Sequence, residues 1–221
     1  MTRVRLPSAA LQKLIFVMSF FYALSIKDYT LKDGKIYIMM NKPCGYVCSS
    51  VSDRHKPVYS LLSNDLQELV KNAPRGRRLH TIGRLDCDTS GLLLFTNDGR
   101  FSHNMASPQN KIEKTYIASL KNGVCPQLQP EYKNEFTKGI VLPPEKKAPL
   151  QNAMPAKIEF LSPYECKVTV TEGKFHLIKR MFMTLENEVV SLKRISFGSY
   201  TLPEDLHEGS YIEIDAASVQ K

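Results

Sequence analysis

At 221 residues, 43% of them hydrophobic and with 13 prolines and 11 glycines dispersed, the chain is a folded protein and not a tail or linker, with one large domain or two modest ones. Thirty Lys and Arg against 22 Asp and Glu leave a net charge of +8, which favours an anionic partner, either nucleic acid or a membrane surface. Five cysteines (Cys44, Cys48, Cys87, Cys125 and Cys166) at irregular intervals argue for reduced thiols in a cytosolic setting, and the Cys44 to Cys48 spacing argues against a zinc knuckle.

Leu14 to Leu24 is apolar behind Arg3, Arg5 and Lys13. It suits a helix packed on the body, a disordered leader or a targeting segment, and is short for a membrane span. Lys32-Asp33-Gly34-Lys35 is a turn, Ile36 to Met40 the first strand, and Asn41-Lys42-Pro43-Cys44-Gly45 a break. Leu61 to Lys71 has a helical pattern with Asn64 and Asp65 as caps, and the Arg-rich turn at 74–78 leads into a short strand ending at Ile82. Gly91 to Thr96 is a buried strand closed by Asn97-Asp98-Gly99, and Lys114 to Leu120 is another strand. Residues 121–155 read as loop. Strands follow at Lys157–Phe160 and Glu165–Val170, a helix at Phe175–Leu185, and strands at Glu188–Leu192 and Tyr211–Ile214. The sum is an α+β fold with a mainly antiparallel sheet.

Three clusters carry candidate chemistry. In Gly83-Arg84-Leu85-Asp86-Cys87-Asp88-Thr89-Ser90-Gly91, the apolar run that follows holds the backbone, so the acids before it can be placed with some precision at a cleft mouth. Asp86 is the candidate acid. Asp88 either shares its face or caps the turn through its carboxylate at Thr89 and Ser90, and Arg84 suits a phosphate or a carboxylate. No Gly-Lys-Ser/Thr follows, so nucleotide hydrolysis has little support. The second cluster, Glu172 to Phe182, is an amphipathic basic helix. Its Lys179 and Arg180 can meet an RNA backbone or a carboxylate, or simply be solvated. His176 is the best RNA contact among the histidines. The third, Glu113-Lys114-Thr115-Tyr116, puts Lys114 and Tyr116 on one strand face. Tyr116 can stack on a base, move a proton, or be half-buried core. Arg75, Arg77 and Arg78 suit phosphate contacts.

Taken in order, Asn41-Lys42-Pro43-x-Gly45, Gly83-Arg84-Leu85-Asp86-x-Asp88-Thr89-x-Gly91-Leu92-Leu93, Glu113-Lys114-Thr115-Tyr116, Glu172-Gly173-Lys174-x-His176-x-x-Lys179-Arg180-Met181-Phe182 and Leu192-Lys193-Arg194-Ile195 resemble the RsuA-type ribosomal RNA pseudouridine synthases. The resemblance spans about residues 36 to 216. It is closest to the small-subunit enzymes through Gly45-Tyr46-Val47-Cys48-Ser49 and Ser102-His103-x-x-x-Ser107-Pro108. Leu177 departs from the Gln common at its place.

The resemblance implies a pseudouridine synthase fold, with two lobes sharing a central sheet and a catalytic cleft between them. It implies isomerisation of a uridine in 16S rRNA of a small-subunit assembly intermediate by a cytoplasmic monomer. No cofactor, metal or stable membrane partner is expected. Asp86 is then the essential aspartate, acting at C1′ or C6 or assisting glycosidic cleavage. Tyr116 stacks on the flipped base, and Lys179, or alternatively Arg180, pairs with Asp86. Lys42, Arg75, Arg77, Arg78, Arg84, His103, Lys114 and His176 are expected on RNA, with Asp88, Thr89 and Gly91 as turn-holders. Residues 1–35 are expected to be an extension or remnant without a complete S4 RNA-binding domain, and residues 36–221 the catalytic domain. Large-subunit rRNA as target, or a non-catalytic ribosome-assembly role, are the alternatives.

Overall fold

The computed structural model describes residues 34–52, 54–146 and 148–216. The chain divides into two compact units, Met1–Ile36 and Tyr37–Lys221, and the architecture below is that of the second. The apolar segment Leu14–Leu24 lies outside the described residues. Among those described, no helix is long and apolar enough to cross a membrane.

The second unit runs β1 (Tyr37–Lys42), β2 (Tyr46–Val47), β3 (Lys56–Pro57), α1 (Asn64–Lys71), β4 (His80–Ile82), β5 (Thr89–Thr96), α2 (Gly99–Ala106) and β6 (Lys114–Leu120). It continues with α3 (Gln129–Lys138), β7 (Val141–Leu142), β8 (Gln151–Asn152), β9 (Lys157–Ser162), β10 (Glu165–Val170), α4 (Leu177–Thr184), β11 (Val189–Phe197), β12 (Tyr200–Thr201) and β13 (Tyr211–Glu213). One sheet has the order β13-β1-β5-β11-β6-β10-β9, with β4 also on β5 and β12 also on β11. Every neighbour in it is antiparallel except β5 and β11, which run parallel with Thr89, Ser90 and Gly91 opposite Leu192, Lys193 and Arg194. The fold is therefore α+β with a mainly antiparallel sheet, as the element pattern predicts.

That parallel pair is the seam between two packed halves. On one side Leu92, Leu94, Met39, Ile82, Phe101 and Met105 cluster with Phe197 and Tyr200. On the other, Ala118, Cys166, Val168, Phe136, Ile178, Met181 and Phe182 form a second core. β5 is buried along its whole length, which is why it reads as an unbroken apolar run. β10 instead buries every second residue, the alternation of a sheet with one core face.

Three local differences from the sequence expectations have physical causes. β5 begins at Thr89, because pairing with β11 starts there, so Gly91 is a strand residue and Thr89 both ends the turn and opens the strand. Gly91 has φ +99, and a Cβ on it would lie 2.2 Å from the Arg194 carbonyl oxygen, so glycine is what lets the seam close. The 121–155 stretch contains α3, in which Phe136 alone is fully buried, and so thin an apolar stripe carries little periodic signal. Finally, α1 starts at Asn64 after a separate 3₁₀ turn at Val58–Leu61, with Ser63 at its N-cap position, so neither Asn64 nor Asp65 is the cap.

Candidate active site

A cavity of about 800 Å³ opens over the seam, lined by the loop before β5, the inner faces of β6 and β11, and the start of α4. Its lining includes Arg84, Asp86, Lys114, Tyr116, His176, Lys179 and Arg194. The three sequence clusters, far apart in the chain, therefore meet in one place. Polar groups converging on a concavity of this size fit a nucleotide-sized ligand.

The loop bearing Asp86 is held from below. Lys42, the last residue of β1, is fully buried, and its Nζ donates to the carbonyls of Thr89 at 2.8 Å and of Asp86 and Pro43 at 3.1 Å. Burial lowers the Lys42 pKa from its ordinary value, opposed by nearby cysteines and Asp86. Gly45 N donates to Cys87 O at 2.7 Å, Thr89 N to Asp86 O at 3.1 Å, and Leu85 N to Cys48 Sγ at 3.4 Å. These bonds fix the backbone on both sides of Asp86 while its carboxylate stays partly open to the cavity. A rigid support for one reactive side chain is what an active centre needs.

Three expected roles are overturned by this arrangement. Lys42 does not reach RNA, since β1 carries it beneath the loop, where it is a brace. Lys179 pairs with Asp88 and not with Asp86, its Nζ 2.6 Å from Asp88 Oδ1. Burial would push the Asp88 carboxyl up, but the hydrogen bond and charge of Lys179 outweigh it and hold it below the usual carboxylate range. Asp88 thus stands within the turn, which backbone closes through Thr89 N on Asp86 O, and spends its carboxylate on Lys179. Arg180 faces neither acid: it is fully buried and donates to the carbonyls of Pro143 (2.9 Å), Pro149 (2.8 Å), Phe175 (3.2 Å) and Leu142 (3.5 Å). On α4, Arg180 lies one residue, about 100° of helix, beyond Lys179, and that rotation sends it into the core.

Across the cavity from Asp86 stands His176, with Nε2 3.9 Å from Oδ1, a pair that is ionic only when the imidazole is protonated. His176 is mostly buried, stacks on the Phe175 ring at 3.8 Å, and places Nδ1 2.8 Å from Glu145 Oε1. Lys114 donates to Ile112 O at 2.8 Å and sits 5.2 Å above the Phe197 ring, while the Arg194 guanidinium lies 4.9 Å from the same ring. Burial, then the charge of Arg194, pulls the Lys114 pKa down to about 8. Arg194 is buried with Nε on Leu92 O at 2.7 Å, which ties β11 to β5. Arg84 is exposed at the rim. Arg75, Arg77 and Arg78 form an exposed turn after α1, and His103 lies exposed on α2; none of the four lines the cavity. Among the described residues no cluster of His, Cys, Asp or Glu is arranged to hold a metal.

Sequence reasoning misses Glu145 altogether, because it sits in an irregular loop with no motif around it. It notes Arg194 within Leu192-Lys193-Arg194-Ile195 without a role. The preceding Leu192 and the return to strand pattern were the available signals.

The family model described as RNA pseudouridylate synthase matches residues 36–184. A Haemophilus influenzae protein named ribosomal small subunit pseudouridine synthase A is 37% identical over 191 residues, covering 86% of this chain and 75% of its own. A Vibrio cholerae protein of the same name is 40% identical over 192 residues, covering 85% and 75%. A solved structure described as a crystal structure of pseudouridylate synthase is 39% identical, with a TM-score of 0.70, covering 82% of this chain and 70% of that one.

Proposed function

This chain belongs to the RNA pseudouridylate synthase family, and on that premise we propose that it converts a uridine of small-subunit ribosomal RNA to pseudouridine with Asp86 as its essential acid. The small-subunit target rests on the names of the relatives at 37% and 40% identity. We propose further that the protein acts as a monomer on this RNA in a small-subunit assembly intermediate. The catalytic domain is the part of the chain from residue 36 onward, with two sub-lobes meeting at the β5–β11 seam.

The observation that carries this reading is one cavity that brings Asp86, Tyr116 and Lys114 together over that seam. The reaction breaks the N1–C1′ bond of uridine, rotates the uracil, joins C1′ to C5, and moves the C5 proton to N1. Atoms and electrons balance within the nucleotide, so the chain needs to supply only an acid–base and nucleophilic group, a place to turn the base, and a grip on the backbone. Asp86 acts at the sugar or the base to release the glycosidic bond. Tyr116 lies against the ring and takes part in removing the C5 proton. The nucleotide is drawn out of its helix to reach them, because the cavity lies below the rim marked by Arg84. Arg84 and Lys114 hold phosphates near the cavity, and Arg75, Arg77, Arg78 and His103 contact the backbone farther out.

Position-resolved pseudouridine mapping of unmodified 16S and 23S rRNA, each assembled with its subunit proteins and treated with the enzyme, tests reaction and target together. A single new pseudouridine in 16S rRNA is expected; modification confined to 23S rRNA, or none, refutes the target or the reaction. Asp86→Asn is expected to abolish turnover while RNA binding and the melting temperature stay near wild type. Turnover within tenfold of wild type would remove Asp86 from its role.

A further inference from the structure

Resting on the reading of Asp86 as the reacting acid, we propose that His176 is its positioning residue, clamped by Glu145 on a loop that the buried Arg180 anchors. The two side chains expected from sequence to face Asp86 are engaged elsewhere: Lys179 with Asp88 at 2.6 Å, and Arg180 with four carbonyls. His176 stands in their place, with Nε2 3.9 Å from the Asp86 carboxylate.

The imidazole is held by two contacts to the ring and by the backbone that carries it. Glu145 Oε1 lies 2.8 Å from Nδ1, so Nδ1 carries the proton it donates there and Nε2 is the nitrogen turned to Asp86. Phe175 stacks on the ring at 3.8 Å with an interplanar angle of 16°, which restricts its rotation. The backbone at His176 has φ 48, a left-handed conformation that costs energy for most residues and is stabilised by its surroundings. It turns the side chain back from the start of α4 toward the β5 loop.

Glu145 would be of little use on a free loop. The described residues of this loop are tied down by Arg180, whose guanidinium donates to the carbonyls of Leu142, Pro143 and Pro149, and by the Glu145 to Ala148 backbone pair at 3.0 and 2.8 Å. Arg180 also bonds Phe175 O at 3.2 Å, so one side chain fixes both the residue before His176 and the loop that holds its ring. The chain of constraint therefore runs from Arg180 through Glu145 and His176 to Asp86. His176 acts on the acid's placement, through a ring whose own orientation is fixed, and RNA contact is not its main task.

The test separates the two ring nitrogens. In His176→Asn the amide lies where Nδ1 does, so the bond to Glu145 can persist while the contact with Asp86 is lost. Asn also adopts the left-handed backbone readily, so the fold is retained. Glu145→Gln keeps the shape of the clamp and removes its charge. Single-turnover rates on unmodified 16S rRNA assembled with subunit proteins, RNA Kd and melting temperature are measured for wild type, each variant, the double variant and Asp86→Asn. Each single variant is expected to slow turnover roughly tenfold with Kd within about twofold, and the double variant to be no slower than the worse single one, because the two act as a unit. Nitrogen-15 NMR of the imidazole is expected to report an Nδ1-protonated ring in wild type and a change on Glu145→Gln. Unchanged turnover in His176→Asn, a weakened Kd with normal turnover, or additive losses in the double variant each overturn the proposal. If Asp86→Asn is active, the underlying assignment of Asp86 has failed instead, which is a different result from an inactive Asp86→Asn beside a fully active His176→Asn.

Discussion

Gly91→Ala is the sharpest test of the seam that seats Asp86. The added methyl would lie 2.2 Å from the carbonyl oxygen of Arg194 and 2.7 Å from its nitrogen, both backbone atoms that cannot rotate away. Restoring ordinary contact requires β5 and β11 to part by about 1 Å. Each interstrand hydrogen bond stretched by that movement costs about 1 kcal/mol, and holding φ at +99 with a Cβ adds about 1–2 kcal/mol. Together the loss is about 3–4 kcal/mol, a large part of the 5–15 kcal/mol that typically separates native from unfolded chains. Urea unfolding followed by circular dichroism measures it directly. Because Thr89, whose carbonyl Lys42 grips, is two residues away in the same strand, turnover at a temperature where the variant is still folded is expected to fall as well. A stability loss below about 1 kcal/mol would mean that the strands separate freely there, and the account of how the seam holds the Asp86 loop would be wrong.

Other perturbations reach the same scaffold from different sides. Lys42→Met removes the donor shared by the Pro43, Asp86 and Thr89 carbonyls; turnover is expected to fall by at least tenfold with RNA Kd unchanged, and a raised Kd at normal turnover would show Lys42 on the RNA. Arg180→Lys leaves a donor too compact to span four carbonyls and is expected to cost about 3 kcal/mol in a urea melt, refuted by a wild-type midpoint. Lys114, with its pKa pulled down to about 8 in the fold and 10.5 when unperturbed, discharges as pH rises through 8. RNA affinity is expected to weaken between pH 7 and pH 9 and the salt slope to fall by about one. Lys114→Met should flatten both trends, and an equal pH dependence in that variant would release Lys114 from the RNA. The linked stability has the opposite sign: the unfolded chain binds more protons between pH 8 and 10.5, so the fold gains stability as pH rises across that window.

Much of this protein is legible from its residues one at a time and in short runs. Leu92-Leu93-Leu94-Phe95, short and bounded by Gly91 and the Asn97-Asp98-Gly99 turn, reads as a strand buried on both faces, and Cys166, Val168 and Val170 alternate as a one-faced strand must. The acid Asp86, the aromatic Tyr116 and the basic start of α4 are found by residue type and spacing, and all three line one cavity. By contrast, α3 is hidden because Phe136 and Tyr132 are nearly all it gives to the core, so its polar sequence looks like loop.

What a chain settles locally is which face of an element is apolar and which residue types stand at its ends, because both depend on neighbours within a few positions. Which charge meets which is settled only when distant segments close on each other. Lys179 and Arg180 are adjacent and equally basic in sequence, yet one reaches Asp88 and the other the carbonyls of a loop some 30 to 40 residues away. Lys42 looks like an RNA contact until β1 pairs with β5 and buries it under the turn. Glu145 has no motif at all, and gains a role because Arg180 folds its loop over His176. Ion pairs and hydrogen bonds fall off within a few ångströms, so their partners are decided by tertiary distance, and sequence separation carries no information about it.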